Sequence, residues 1–165
     1  MANIILGIDP GVADTGFGVI SIEASGRPRC LEYGSIKTPA GTGLPERLES
    51  IFKSVDSLFK RYQPIVLAIE KLFFSRNVTT AMAVSQARGV VLLASQINGV
   101  PVREFTPPQV KQAVAAYGQA DKAQVQKMVK LILGLDTIPK PDDAADALAV
   151  AICASALPLR LLREK

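Results

Sequence analysis

A short apolar run near the start of the chain, residues 4–8, ends on the carboxylate of Asp9, and Pro10 and Gly11 follow at once. Its β-branched residues favour a strand, and its length suits a strand that is buried on both faces of a sheet. An aspartate inside such a strand is costly unless it is paired, hydrogen-bonded or bound to a metal. Asp9 is therefore expected at the carboxyl end of the strand, where α/β sheets open onto a ligand crevice. It could instead only start the turn before Gly11.

A second apolar run ends in the same way. Residues 65–69 are apolar, and the carboxylate of Glu70 follows them directly. If the two predicted strands are parallel neighbours, Asp9 and Glu70 emerge at the same edge of the sheet. The repeated pattern therefore predicts a pair of converging carboxylates.

The other elements are predicted from hydrophobic periodicity and turn residues. Strands are expected at residues 16–23, 30–37 and 100–105, and helices at residues 44–62, 78–97, 107–118, 122–134 and 142–157. This order predicts an α/β fold in which a mixed five-stranded sheet carries helices on both faces. Because the helix over residues 78–97 is rich in small side chains, we expect it to form part of the core or a dimer surface.

The length and composition predict one domain over residues 1–165, with residues 158–165 as a short, poorly ordered basic tail. Asp9 interrupts the first apolar run and no basic segment precedes it, so no signal peptide is expected. The two cysteines, Cys30 and Cys153, lack metal-ligand spacing and fit a reducing cytoplasm. The uncharged apolar runs are shorter than a membrane span.

Charge is distributed unevenly along the chain, whose net charge is +4. Residues 1–70 carry 7 basic and 8 acidic side chains, whereas residues 71–165 carry 12 basic and 7 acidic ones. Three of those later acids lie together, so the rest of this half is more basic than its total indicates. A basic surface around an acidic spot fits an enzyme that binds a polyanion and a cation, although the bases could also be ordinary solvated surface.

The clustered acids, Asp142, Asp143 and Asp146, open the last predicted helix. Asp143 and Asp146 are three residues apart and so share a face of this helix. Asp142 is assigned to the N-cap, and Asp143 could simply gain from the helix dipole. Asp146 lies about one turn into a segment of Ala and Leu residues, where a buried carboxylate needs a partner.

The two strand-end acids and the helical pair together predict a site for hard cations. Four converging carboxylates repel one another unless a cation lies between them. The sequence has no histidine, and oxygen-only ligands suit Mg²⁺, with Mn²⁺ able to substitute. Two such ions about 3.5–4 Å apart are the usual apparatus for phosphodiester cleavage. Because no Ser-His or Cys-His arrangement is available, water is the expected nucleophile.

Five motifs of this chain resemble those of bacterial RuvC-type Holliday-junction resolvases. They are GIDPG with TGFGVI after it, AIEKLFF, SQARGV, QVKQAV and DDAADALAVAI, in the same order and spacing over residues 3–157. The resemblance implies a ribonuclease H-like fold and a homodimer that nicks two opposed strands of a four-way DNA junction, using Mg²⁺ or Mn²⁺. It also implies a bacterial cytoplasmic enzyme of DNA recombination and repair, with a branch-migration motor as its partner.

The resemblance also implies roles for individual residues. The catalytic and metal-binding acids fall on Asp9, Glu70, Asp143 and Asp146. The DNA-binding residues fall on Phe73 (the aromatic inserted into the junction), Arg76, Lys111 and Lys122. Two ambiguities stay open: Asp142 could exchange roles with Asp143, and either Phe73 or its neighbour Phe74 could belong to the core.

Two other functions fit parts of the sequence. An actin-like or sugar-kinase-like phosphotransferase has a similar first strand, but it needs a second lobe and a further Gly-rich phosphate loop, for which this chain is too short. A junction-binding module without catalysis is the other alternative, but four intact acids would weaken the binding of a polyanion. Cleavage of a labelled four-way junction in the presence of Mg²⁺, Mn²⁺ or EDTA distinguishes among the three.

Overall fold

The computed structural model describes residues 3–72 and 78–163. Within them, the strands are β1 (Asn3–Asp9), β2 (Asp14–Ile22), β3 (Pro28–Lys37), β4 (Val66–Glu70) and β5 (Val102–Phe105). The helices are α1 (Leu44–Tyr62), α2 (Val78–Ile97), α3 (Pro107–Ala115), α4 (Lys122–Leu133), α5 (Asp142–Ser155) and α6 (Leu159–Arg163). No helix in these residues has the length and hydropathy needed to cross a bilayer.

The strands form a mixed five-stranded sheet in the order β3-β2-β1-β4-β5. The first three strands make an antiparallel meander, whereas β1, β4 and β5 are parallel. Ile8 pairs with Ile69, so the residues that follow them, Asp9 and Glu70, leave the sheet at the same edge. The predicted convergence of the two strand ends is confirmed.

Side-chain alternation along the strands divides the core into two layers. In β1, Leu6 and Ile8 pack against α1 and α2, whereas Ile5 faces the layer of α3, α4 and α5. In β4, Val66 and Ala68 face that second layer as well. Asp9 and Glu70 are the next residues of β1 and β4 on this side of the sheet, so their side chains lie on the face that α5 covers. The predicted helices on both faces of the sheet are confirmed.

Helix α5 lies unusually close to the sheet because glycines face it. A Cβ added to Gly7 would lie 2.1 Å from the carbonyl oxygen of Ala147, and one added to Gly16 would lie 2.0 Å from that of Asp143. Helix α5 contributes mainly small buried residues to this contact, among them Ala144 and Ala151. Small side chains on both partners thus bring the start of α5 against the start of β2, next to the end of β1.

The structure differs from the prediction at the end of the chain and at several boundaries. Residues 159–163, expected as part of a poorly ordered basic tail, form α6, and this corrects that expectation. Leu162 is fully buried, and the guanidinium of Arg103 donates a hydrogen bond of 2.7 Å to the carbonyl of Leu161. The apolar face of this short helix is what anchors it. Elsewhere, β2 and β3 begin two residues earlier than predicted, and β5 two residues later.

Candidate active site

Three aspartates converge where β1 ends and α5 begins. Carboxylate oxygens of Asp9, Asp143 and Asp146 all lie within 4.8 Å of one another. Each of the three residues is partly buried. This spacing is short enough for one cation to contact all three carboxylates, and we refer to these residues as the aspartate triad.

The close approach of α5 to β2 accounts for the position of Asp143. In the antiparallel ladder, Asp9 pairs with Gly16. Because Gly16 has no side chain, the backbone of Asp143 can lie directly against its Cα. A side chain at position 16 would therefore push Asp143 away from Asp9. Asp146 lies one turn further along α5 and joins Asp143 on the same face, as the i, i+3 spacing predicted.

Like charge and burial make Asp9 hard to ionise in the metal-free protein. Burial, with repulsion from Asp146, Asp143 and Glu70, raises the pKa of Asp9 from 3.8 to about 7. The pKa of Asp143 is also raised, by burial and by the charges of Asp14 and Asp146. Because these carboxylates resist ionising next to one another, a bound cation, which favours their ionised form, stabilises the site.

Glu70 lies at the same cavity but does not belong to the triad. A cavity of about 220 Å³ is lined by residues that include Asp9, Glu70 and Asp146. Burial and the charge of Asp146 raise the pKa of Glu70, whereas Lys111 lowers it. The structure thus brings the four predicted acids to one place: three lie in contact range of a single cation, and Glu70 lines the same cavity as Asp9 and Asp146.

Two of the four predicted DNA-binding residues also line this cavity. Lys111 is on α3, and Lys122 is the first residue of α4. The ammonium group of Lys122 lies 3.1 Å from Oδ2 of Asp146 and 3.5 Å from Oδ2 of Asp142. Burial lowers the pKa of Lys122, but the hydrogen bond to Asp146 and the two negative charges outweigh it and raise the pKa. Phe73 and Arg76 lie outside the described residues.

The N-cap assignment of Asp142 is wrong. Pro141 occupies the N-cap of α5 and makes no side-chain cap hydrogen bond, whereas Asp142 is the first residue of the helix. The carboxylate of Asp142 instead accepts hydrogen bonds from Lys140 at 2.9 Å and Gln126 at 3.1 Å. These bonds, with the charge of Lys122, lower its pKa to about 2. Asp142 is thus an exposed, ionised residue, while Asp143 faces Asp9.

Asp14 is an acid near the site that the sequence did not single out. Its Oδ1 is buried and, among the described residues, has no hydrogen-bond partner, and its charge raises the pKa of Asp143. A buried carboxylate oxygen close enough to Asp143 to raise its pKa fits a site that accepts positive charge. The donor set consists of oxygen atoms, so the residues present fit Mg²⁺ or Mn²⁺.

A second residue that the sequence reasoning missed is Arg88, on α2. Its side chain is largely buried, forms an ion pair with Glu104 and donates a hydrogen bond of 2.8 Å to the carbonyl oxygen of Glu70. The sequence did hold a signal, since Arg88 is the only charged residue between positions 78 and 97. A charge in an otherwise uncharged helix calls for a partner, by the argument that identified Asp146.

Comparisons with known proteins identify the family of this chain. The family model described as "Crossover junction endodeoxyribonuclease RuvC" matches residues 5–154. Relatives with that name from Rubrobacter xylanophilus and Brevibacillus brevis are each 57% identical to this chain; the first match covers 92% of this chain and 84% of the relative, and the second covers 90% and 89%.

Solved structures show the same relationship. The structure titled "T. thermophilus RuvC in complex with Holliday junction substrate" superposes with a TM-score of 0.87 at 39% identity, over 92% of each chain. The mixed five-stranded sheet with its helices is that of this ribonuclease H-like structure. The phosphotransferase and the non-catalytic module considered from the sequence are thereby set aside. The chain belongs to the RuvC family of crossover junction endodeoxyribonucleases.

Proposed function

We propose that this protein resolves four-way DNA junctions by hydrolysing phosphodiester bonds at the aspartate triad. The observation that carries the proposal is the convergence of Asp9, Asp143 and Asp146 within 4.8 Å at the mouth of a cavity that two lysines line. The T. thermophilus relative, 39% identical, is described in complex with a Holliday-junction substrate. Carboxylates without a cation would repel phosphate, so acids and bases together support a cation-assisted cleavage of nucleic acid.

Each acid has a role in this proposal. Asp9, Asp143 and Asp146 would hold one divalent cation among them, and Glu70, which lines the same cavity, would be a ligand of a second. When bound, Mg²⁺ or Mn²⁺ supplies a more acidic water and neutralises charge at the scissile phosphate. The carboxylates keep the site negative until a cation binds, and the raised pKa of Asp9 makes that charge depend on pH.

The bases hold DNA at the cavity. Lys122 pairs with Asp146, and when a cation neutralises the triad it would contact a phosphate beside the cut. Lys111, on the opposite wall, contacts a phosphate in the same way. Phe73 follows Glu70 by three residues, close enough in the chain to insert at the open centre of a junction, with Arg76 on the same segment.

A homodimer provides two active sites for two symmetric cuts. We assign its interface to the outer face of α2, the α2 stripe, which consists of Met82, Gln86, Gly89, Leu93 and Ile97. The stripe is uncharged, its three apolar side chains are 54–61% exposed, and a Cβ on Gly89 would have no heavy atom within 4 Å. A glycine between apolar residues allows the backbone of a second helix to approach closely, which supports a second copy of this chain as the occupant.

Cellular context follows from the relatives named above. They are bacterial enzymes, and both cysteines of this chain are free. We place the protein in the bacterial cytoplasm, where a branch-migration motor delivers the junction to it in recombination and repair.

Substitutions of the two neighbouring aspartates at the start of α5 should have different effects on cleavage. Asp143→Asn removes a triad ligand, so the rate should fall on the order of 10³-fold, because a bound ion supplies several kcal/mol and 1.4 kcal/mol is tenfold. Asp142→Ala removes the contacts with Lys122 and Lys140 and the hydrogen bond from Gln126, none of which belongs to the triad, and should keep activity within a few-fold. The measurement is single-turnover cleavage of a labelled four-way junction with Mg²⁺, and equal losses in both variants would contradict the ligand assignment.

The stability of the metal-free protein should fall as pH rises from about 4 to about 8. A carboxyl group whose folded pKa of about 7 exceeds its ordinary value of 3.8 stabilises the fold at low pH and loses that effect as pH passes 7. The loss is up to about 4 kcal/mol for this difference in pKa. Asp9→Asn should flatten the dependence of the melting temperature on pH in EDTA.

Asp142→Asn is the matched control for this measurement. Its pKa is lowered to about 2, so its stabilising effect is lost only as pH falls towards that value, and the slope between pH 4 and 8 should stay as in the parent. Adding Mg²⁺ should raise the melting temperature of the parent more at pH 8 than at pH 5. A parent melting temperature that rises with pH in EDTA would contradict the description of the triad.

The α2 stripe should control oligomeric state. Leu93→Asp places charges opposite each other at the proposed interface, so light scattering after gel filtration should show one chain instead of two. Leu131→Asp is the control, because Leu131 is equally exposed but lies on α4. The Leu93 variant should also nick single strands in place of paired cuts. A dimer that survives Leu93→Asp but is lost in Leu131→Asp would place the interface elsewhere.

Phe73 should act on bases and the two lysines on phosphates. Base stacking on an aromatic is worth about 1–3 kcal/mol, so Phe73→Ala should fold and bind junctions but cleave them roughly 5- to 100-fold more slowly. A junction with bases already unpaired at its centre should partly rescue Phe73→Ala. Lys111→Ala should not be rescued, and its binding should depend less steeply on salt. A cleavage rate for Phe73→Ala equal to that of the parent would contradict a role in the junction and favour a role in core packing.

A further inference from the structure

The buried guanidinium of Arg88 contacts the peptide unit that follows a proposed ligand. Nη1 of Arg88 donates a hydrogen bond of 2.8 Å to the carbonyl oxygen of Glu70. The N–H of the same peptide unit, on Lys71, donates at 2.8 Å to the carbonyl of Phe105 on β5. Both polar atoms of the peptide between Glu70 and Lys71 are therefore fixed, one by the sheet and one by Arg88.

This second bond is needed because the ladder ends at this point. β1 pairs with β4 only as far as Ile8 and Ile69, and Asp9 at the end of β1 is followed by Pro10, which has no N–H to offer the carbonyl of Glu70. Arg88 reaches that carbonyl from the α1–α2 face of the sheet, while the side chain of Glu70 lines the cavity on the other face. The guanidinium thus fixes the backbone of Glu70 from the face of the sheet opposite to the cavity.

Glu104 orients the guanidinium. It lies on β5, next to Phe105, and accepts a hydrogen bond from Nη2 of Arg88. The planar fork of an arginine can bridge two fixed acceptors in this way, whereas a lysine ammonium cannot hold both in one geometry. Arg88 therefore joins α2 to the ends of β4 and β5 at once.

Stability alone is a poor reason for this arrangement. The side chain of Arg88 is only 10% exposed, and taking a guanidinium out of water offsets much of the attraction to its partner. Apolar residues of similar volume often give a fold as stable as a buried ion pair does. What apolar residues cannot supply is a hydrogen-bond donor to the carbonyl of Glu70.

We propose that Arg88 is a positioning residue for Glu70: by fixing the peptide between Glu70 and Lys71, it aims the Glu70 carboxylate at the cavity that Asp9 and Asp146 line. The inference rests on the proposed role of Glu70 as a cation ligand. Because Glu70 lines the same cavity as Asp9 and Asp146 but is not one of the triad, the direction of its Cα–Cβ bond decides whether its carboxylate reaches a cation bound there. Groups that orient metal ligands typically change cation affinity or activity by about 10- to 100-fold when removed.

The test compares Arg88→Met and Arg88→Lys with a matched variant of the same helix. Ser95 is fully buried near the C-terminal end of α2, and its hydroxyl donates a 2.7 Å hydrogen bond to the carbonyl of Val100. Neither residue is a neighbour of the four acids in the sequence. Ser95→Ala thus removes a buried hydrogen bond from α2 to a backbone carbonyl without touching Glu70. Melting temperature, Mn²⁺ affinity by electron paramagnetic resonance, and single-turnover cleavage are measured for each variant.

We expect Arg88→Met to bind Mn²⁺ and cleave a four-way junction about 10- to 100-fold less well than the parent, with junction affinity in EDTA unchanged. Arg88→Lys should keep a melting temperature near that of the parent but still bind Mn²⁺ more weakly. Ser95→Ala should lower the melting temperature and leave Mn²⁺ affinity as in the parent. If Arg88→Met does not fold, Arg88→Lys alone decides.

Three results overturn the inference, and they are distinguishable. Parent-like Mn²⁺ affinity and cleavage in Arg88→Lys and Arg88→Met would limit Arg88 to a structural role while the proposed function stands. A parent protein that neither binds Mn²⁺ nor cleaves the junction would overturn the proposed function, and with it the role of Arg88. Equal losses of Mn²⁺ affinity in Ser95→Ala and Arg88→Met would also count against positioning, since any loosening of α2 would then suffice.

Discussion

Repulsion among the three triad carboxylates is the constraint around which the rest of this site is built. Oxygens of Asp9, Asp143 and Asp146 lie within 4.8 Å of one another, and folding must hold them there. The close packing of α5 on the glycines of β1 and β2 provides the force, because the helix cannot move outward without opening the buried core. Lys122 supplies a partial counter-charge at Asp146, and the raised pKa of Asp9 shows that this compensation is incomplete.

The sequence predicts those parts of the fold that are determined by residues close together in the chain. Two apolar runs that each end on a carboxylate predict where Asp9 and Glu70 leave the sheet, and the parallel pairing of β1 with β4 confirms it. The i, i+3 spacing similarly predicts that Asp143 and Asp146 share a face. The expected cap at Asp142 failed because the cap position depends on where the backbone turns, and Pro141 takes it.

Features that depend on distant pairings were not predictable in this way. Asp14 approaches Asp143 only because the register of β2 against β1 places Gly16 beside the backbone of α5. Arg88 meets Glu104 across 16 residues of sequence and the carbonyl of Glu70 across 18. The sequence indicated that a lone charge in α2 needs a partner, but several acids were available, and a backbone carbonyl gives no signal in the sequence at all.

Helix α2 has a different task on each of its two sides, and this links the proposals made above. Its buried side carries Arg88, which holds the end of β4, and its outer side carries the α2 stripe, with Gly89 next to Arg88 in the chain. In the proposed homodimer, each copy of α2 therefore lies between the symmetry axis and a ligand of one active site. A hydrogen-bonded helix transmits position more exactly than a loop does, since its backbone cannot deform locally without losing bonds. The spacing of the two cuts would then be set by one helix and by the guanidinium that fixes the backbone of Glu70.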